Sequence, residues 1–229
     1  MAASFQHVPM TSGGMRSLVR LSGRHDLTYR SVVADLAPTI VARSGPETFA
    51  NRPSERRDGA LVPAPWGPVR QRFRRRVHML ARAAGSVAVS DIRDCYRSIA
   101  PSILEDCLRD LALDPRPLLR VLASTERLGL RGLPVGPYPS ALLAEAVLGR
   151  IDRAMRAPGI RHVRWVDDVV ITGRSPRDVR SALRRFEEAA GDLGLDISRS
   201  KTRVLTAGDR RRVCEGVGES YAPRPRMRA

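Results

Sequence analysis

The stretch Arg164-Trp165-Val166-Asp167-Asp168-Val169-Val170-Ile171 sets two adjacent carboxylates between two apolar runs, 160–165 and 169–172. The runs predict short strands, and the aspartates predict a tight hairpin turn, because Asp tolerates turn backbone angles. Another carboxylate, Asp91, directly follows the apolar run 86–90. A carboxylate at the end of a buried strand is costly unless it is paired or ligating. Three carboxylates meeting at one sheet edge repel one another unless cations neutralise them. Oxygen donors without His or Cys suit Mg²⁺, with Mn²⁺ as the alternative. Two such ions activate a hydroxyl and stabilise a leaving phosphate in phosphoryl transfer. An acidic turn by itself needs no metal, so the reading depends on whether the rest of the chain agrees.

The elements that must position these groups follow in order. Residues 7–21 predict a hairpin turning at Thr11-Ser12-Gly13-Gly14, with Arg16 and Arg20 on one face of its second strand. A helix capped by Asp26 should run to Ala42, bent or broken near Pro38. Residues 47–65 are rich in Pro, Gly and Ser and predict an irregular surface loop. Trp66, Val69, Phe73, Val77, Leu80 and Ala84 step by three and four, which predicts an amphipathic helix. Arginines at 70, 72, 74, 75, 76 and 82 decorate its remainder. Their shared sign suits a phosphate-facing surface as well as a solvated one.

Beyond Asp91, helices are expected over 104–113 and 118–128, the first entered through Pro101. Gly132-Leu133-Pro134-Val135-Gly136-Pro137-Tyr138-Pro139-Ser140 imposes an irregular backbone, after which Ser140 should cap a helix to Ala157. A helix from Pro176 to Leu193 follows the hairpin. Lys201 then lies between two short strands, 196–198 and 202–205. The order from Val87 predicts an α+β sheet with helices on one face.

Composition supports a polyanionic partner. The formal net charge is +16 over 229 residues, and basic residues spread along the chain favour nucleic acid over membrane. Lys201 is the chain's one lysine among 40 basic residues, and lysine, unlike arginine, can release a proton near neutral pH. Cys95, Cys107 and Cys214 and the four histidines have no metal-ligand spacing, and an odd cysteine count suits a reducing compartment. No segment approaches the ~18 apolar residues of a membrane span, and Met1–Met10 lacks a signal-peptide core. The expectation is a cytoplasmic protein with no membrane partner.

Four motifs in order resemble the bacterial reverse transcriptases of the group II intron, retron and phage-defence type, over residues 7–206. They are Val89-Ser90-Asp91-Ile92-Arg93-Asp94-Cys95-Tyr96, the Gly132–Ser140 segment, Trp165-Val166-Asp167-Asp168, and Leu193–Thr202 with Lys201. The resemblance implies an α+β right-hand palm with partial fingers: 1–85 fingers-like, 86–206 the catalytic palm, 207–229 a basic, unstructured tail. It implies that Asp91, Asp167 and Asp168 hold two metal ions, with Asp168 the lesser ligand. Arg16, Tyr96, Gly136 and Ser140 would meet the incoming nucleotide, with Tyr96 beneath its sugar and excluding a 2′-hydroxyl. Lys201 would approach the triphosphate as a general acid. Asp94 is expected to pair with an arginine.

The partners so implied are an RNA template, a DNA primer and dNTPs. Protein-primed or template-independent synthesis, and a non-catalytic nucleic-acid-binding relic, are the competing functions. Departures from the family pattern are Val135 for a usual glutamine, Glu145 for a frequent asparagine, Trp165 for tyrosine or phenylalanine, and Met10 for a lysine. Fewer than thirty residues follow Leu205 and no primer grip is recognisable. No thumb is therefore expected, and a partner protein or a covalent fusion would have to supply that clamp.

Overall fold

Two strands with apolar residues on both faces dictate the architecture. The computed structural model describes residues 3–9, 15–51, 53–55, 61–206 and 209. A four-stranded antiparallel sheet has the order β6-β7-β5-β8, with β5 Ser86–Asp91, β6 Arg161–Trp165, β7 Asp168–Gly173 and β8 Arg203–Thr206. Along β5 and β7, Ala88, Val169 and Ile171 face one apolar cluster, while Val87 and Val170 face another. Alternate residues point to opposite faces, so each face needs its own cover.

The first face is covered by α1 (Gly23–Arg43), α4 (Pro101–Asp110), α5 (Arg116–Glu126), α6 (Tyr138–Met155) and α7 (Pro176–Gly191). The second is covered by α2 (Trp66–Ala83), whose Val69, Phe73, Val77 and Leu80 pack on Val163, Trp165 and Val170. The one-sided arrangement expected from Val87 onward holds for α4 to α7 but gives way once α2, which precedes Val87, is included. Helices lie on both faces because the central strands are apolar on both.

Three further expectations give way. α1 runs unbroken through Pro38, with Ser22 at its N-cap position and Asp26 in the first turn, 2.6 Å from Arg30. Proline removes one helix hydrogen bond, but buried Leu36, Ala37 and Ile40 anchor the helix on both sides of it. The expected loop 47–65 contains a hairpin, β3 Pro53–Glu55 with β4 Leu61–Pro63, and buried Glu47, Thr48 and Ala50. Those residues strap the outer edge of β6: Arg164 N–H donates to the Glu47 carbonyl at 2.9 Å and Phe49 N–H to the Arg164 carbonyl at 3.2 Å. Arg70 is buried, unlike the exposed arginines at 72, 74 and 75, with its guanidinium 5.0 Å from the Trp165 ring centre.

The fingers-like hairpin pairs β1 (Ala3–Pro9) with β2 (Met15–Leu21). Its turn, including Met10, lies outside the described residues, as does the tail except Asp209. No helix among the described residues is long and apolar enough to cross a membrane.

Candidate metal centre and nucleotide cleft

β5 and β7 run side by side with Asp91 opposite Asp168 in the register. The turn before β7 consists of Val166 and Asp167, because Trp165 pairs with Asp168 across it. This corrects the expectation that both aspartates form the turn: Asp168 is already in the strand. Val166 adopts φ 56°, a backbone region a β-branched residue occupies only under strain. The turn is tied down through Asp167, whose carbonyl accepts from Ile92 N–H at 3.3 Å.

Asp91, Asp167 and Asp168 are all buried, and each offers a carboxylate oxygen within 4.8 Å of the others. The donor set is wholly hard oxygen, which fits Mg²⁺ or Mn²⁺ and does not select softer metals. Lys201 approaches from the rim, its Nζ 2.8 Å from Asp91 Oδ2. Partial burial alone would lower its pKa, but the bond to Asp91 and the charges of Asp168 and Asp167 raise it, so the ammonium stays protonated at neutral pH. Its turn is fastened to the metal-side strand: Ser198 N–H donates to the Asp91 carbonyl at 2.7 Å, and the Ser90 and Thr202 hydroxyls are 2.8 Å apart.

A cavity of about 380 Å³ opens beside these groups, lined by Arg16, Asp91, Tyr96, Arg131, Asp167 and Lys201 among others. Arg16 and Lys201 therefore line one cleft, whereas Arg20 is not among its lining residues. Tyr96 belongs to α3 (Cys95–Ser98) and burial above all keeps its phenol neutral. Asp94 also lines the cavity, and it forms no ion pair among the described residues.

The Gly132–Ser140 segment holds this cleft together more than it lines it. Gly132, at φ +62°, lies so near the Tyr96 and Arg97 carbonyls that an added Cβ would fall 2.6 Å from each. Leu133 N–H donates to the Tyr96 carbonyl at 2.8 Å, and Val19 N–H donates to the Val135 carbonyl at 2.7 Å. Gly136, at φ +122°, permits that approach of β2, where a Cβ would lie 3.3 Å from the Val19 carbonyl. Ser140 departs from expectation. It sits inside α6, fully buried, with its hydroxyl 2.9 Å from that of Tyr29. It fastens α1 to α6 and does not reach the cleft.

A family profile described as "Reverse transcriptase (RNA-dependent DNA polymerase)" matches residues 39–220. The chain belongs to the reverse transcriptase family. No curated protein matches the sequence. Solved telomerase structures from Candida albicans, with a TWJ fragment of telomeric RNA, and from Candida tropicalis, in the apo form, share the fold. Their TM-scores are 0.58 and 0.57 at 12% and 9% identity, over 88% and 89% of this chain. The chain spans 41% and 43% of those two proteins.

Behind the carboxylates of this reverse transcriptase lies a buried ionic cluster that the sequence reading missed. Arg164 is 1% exposed and its guanidinium spends all five N–H groups within the fold. Nε donates to Asp152 Oδ1 at 3.0 Å. Nη2 donates to Asp152 Oδ2 at 2.6 Å and Glu145 Oε2 at 2.7 Å, and Nη1 donates to the Val166 carbonyl at 2.8 Å. Thr48 and His162 bond to Asp152 as well, while Glu47 pairs with Arg156 at 2.8 Å. Burial alone would raise the Asp152 pKa, but the Arg164 charge and the bonds from His162 and Arg164 hold it well below the usual carboxylate range.

Glu47, Asp152 and His162 also place ligand atoms within 4.8 Å of one another. Guanidinium groups already neutralise both carboxylates there, so no cation is needed. The signal was present in the sequence: Glu145 and Asp152 are two turns apart on one face of a mostly apolar helix. It also gives a role to one departure from the family pattern, since Glu145 accepts N–H bonds from both Nη1 and Nη2 of Arg164.

Proposed function

We propose that the chain is the catalytic part of an RNA-directed DNA polymerase that adds dNTPs to a primer 3′-hydroxyl on an RNA template. The convergence of Asp91, Asp167 and Asp168 within 4.8 Å at the mouth of a cleft, with Lys201 on its rim, carries this reading. These carboxylates would hold two Mg²⁺ ions, or Mn²⁺ in their place, which when bound activate the primer hydroxyl and neutralise charge on the reacting phosphate. Asp168, set in β7 and absent from the cavity lining, serves as the lesser ligand.

Around the reacting phosphate, Arg16 grips the triphosphate from β2 through its fixed charge. Lys201, charged at neutral pH, donates a proton to the departing pyrophosphate oxygen. Tyr96 underlies the sugar and leaves no space for a 2′-hydroxyl. Gly136 acts by letting the fingers hairpin approach the loop. The exposed arginines of α2 and the overall +16 charge favour a nucleic-acid track.

The motif series favours a bacterial enzyme of a mobile element or of phage defence, working in the cytoplasm. In this reading residues 1–85 act as fingers, 86–206 as palm and 207–229 as a basic tail.

A primed RNA incubated with the protein, Mg²⁺ and labelled dNTPs tests this, with Asp167→Ala as control. Template-dependent extension that the control loses is the expected outcome. Product that ignores template sequence would shift the reading to untemplated or protein-primed synthesis. RNA binding without any extension would leave only the non-catalytic relic.

A further inference from the structure

The buried ionic cluster behind the hairpin touches both halves of the catalytic machinery. Arg164 Nη1 donates to the carbonyl of Val166, the residue immediately before Asp167, at 2.8 Å. Val166 holds a positive φ that its side chain disfavours, so the turn keeps this shape only while its surroundings enforce it. On the other side, Glu145 Oε1 accepts from the Asn51 side-chain amide at 3.1 Å. The Asn51 side chain in turn lies close enough to the Tyr96 phenol to pull its pKa down against the larger upward push of burial, and the Asn51 carbonyl accepts from the Tyr138 hydroxyl at 3.4 Å. Hydrogen bonds thus run unbroken from Val166 through Arg164 and Glu145 to Asn51, which neighbours Tyr96, and the charged members of the path are 5% exposed or less.

We infer that Arg164 and Glu145 form a positioning hub that sets two things at once: the Asp167 turn that holds metal, and the Tyr96 ring that faces the sugar. Neither residue touches substrate. Arg164 acts through the Val166 carbonyl, and Glu145 acts through Arg164 and Asn51. The planar fork of arginine suits this task, because a lysine cannot meet two carboxylates and a carbonyl in one plane. The inference rests on the polymerase reading for its nucleotide arm but not for its metal arm.

The test measures Mn²⁺ binding to the purified protein by electron paramagnetic resonance, alongside melting temperature and the dNTP-to-NTP ratio of kcat/KM. Arg164→Lys and Glu145→Gln should weaken Mn²⁺ binding by about tenfold, the scale on which partners of metal ligands act. Asn51→Ala should leave Mn²⁺ binding unchanged and lower the dNTP preference roughly tenfold, as loss of a steric fit does. Glu145→Gln keeps the side-chain shape, so it reports even if Arg164→Lys does not fold.

Lowered melting temperatures with wild-type Mn²⁺ affinity in the folded variants would reduce the hub to a packing element and overturn the proposal. An Asn51→Ala enzyme with unaltered dNTP preference would overturn the link to the sugar. A wild-type protein that binds Mn²⁺ but extends no primer would defeat the polymerase reading, and the Mn²⁺ affinities would still decide the hub.

Discussion

Two acidic clusters flank the β6–β7 hairpin, and they differ in how their charge is answered. Glu145 and Asp152 meet Arg164, a fixed cation with 1% exposure that is bonded through every N–H. Asp91, Asp167 and Asp168 meet Lys201, whose side chain is 51% exposed and sits at the cavity rim. Cys95 lies near enough to both to register each. Burial above all pushes its thiol up, Asp167 adds to that shift, and Arg164 opposes it. The first cluster is sealed around a cation of its own, with no access to the cleft. The second reaches the cleft through Asp91 and Asp167, so its repulsion is available to bind cations. Identical side chains therefore have opposite roles, and the compensating cation decides which.

That contrast predicts opposite outcomes for charge removal. The largest effect should come from Asp167→Asn, which should cut primer extension by roughly a thousandfold or more, the scale of several kcal/mol of lost charge stabilisation. Its metal-free melting temperature should hold or rise, because one of three mutually repelling charges is gone. A strongly destabilised Asp167→Asn would place that residue with the structural cluster and break the comparison. Arg164→Met should do the reverse and lose about 3–5 kcal/mol of stability in urea unfolding, because it strands two buried carboxylates. An unchanged unfolding midpoint would show that the cluster is not what holds the hairpin.

Lys201→Arg keeps the charge beside Asp91 but removes a transferable proton. Extension should fall by about a hundredfold, the lower end of general-acid effects, with stability unaltered. Full activity in that variant would leave Lys201 a purely electrostatic role.

The pH dependence separates the clusters more finely. Asp152 has a folded-state pKa below its unfolded value of about 3.9, so its contribution to stability is present above that value. It is lost progressively as pH falls below about 4. Acid titration of the melting temperature should show this loss, and Asp152→Asn should begin lower at neutral pH and fall less steeply. Equal slopes would mean that the carboxylate is not depressed. Smallest of all, Ser140→Ala should cost about 1 kcal/mol for the lost Tyr29 bond. It should leave the dNTP KM untouched, and a raised KM would return Ser140 to the nucleotide site.

Much of the carboxylate cluster at the cleft was legible because its parts are local patterns. Asp91 follows an apolar strand, Asp167 interrupts a hairpin, and Lys201 stands alone among arginines, so each announces itself within a few residues. The covered second face, the continuous α1 and the buried Arg70 were not legible in that way. Each depends on what packs against a segment from elsewhere in the chain. Arg70 reads as one more exposed arginine until Trp66, Phe73 and Trp165 are seen around it. Ser140 reads as a helix cap until Tyr29, 111 residues away, claims its hydroxyl.

By itself, then, the sequence determined the chemistry: which side chains can bind a divalent cation, which can give up a proton, and that the surface favours a polyanion. Residue type and near-neighbour spacing suffice for that, because donor hardness and charge are properties of the side chain. Only the tertiary structure decided which carboxylates are open to the cleft and which are sealed by guanidinium groups. It also decided that Val166 rather than Asp168 forms the turn. Burial and ion pairing arise between segments far apart in the chain, such as Glu145 with Arg164 and Asp91 with Lys201, and no local pattern records them.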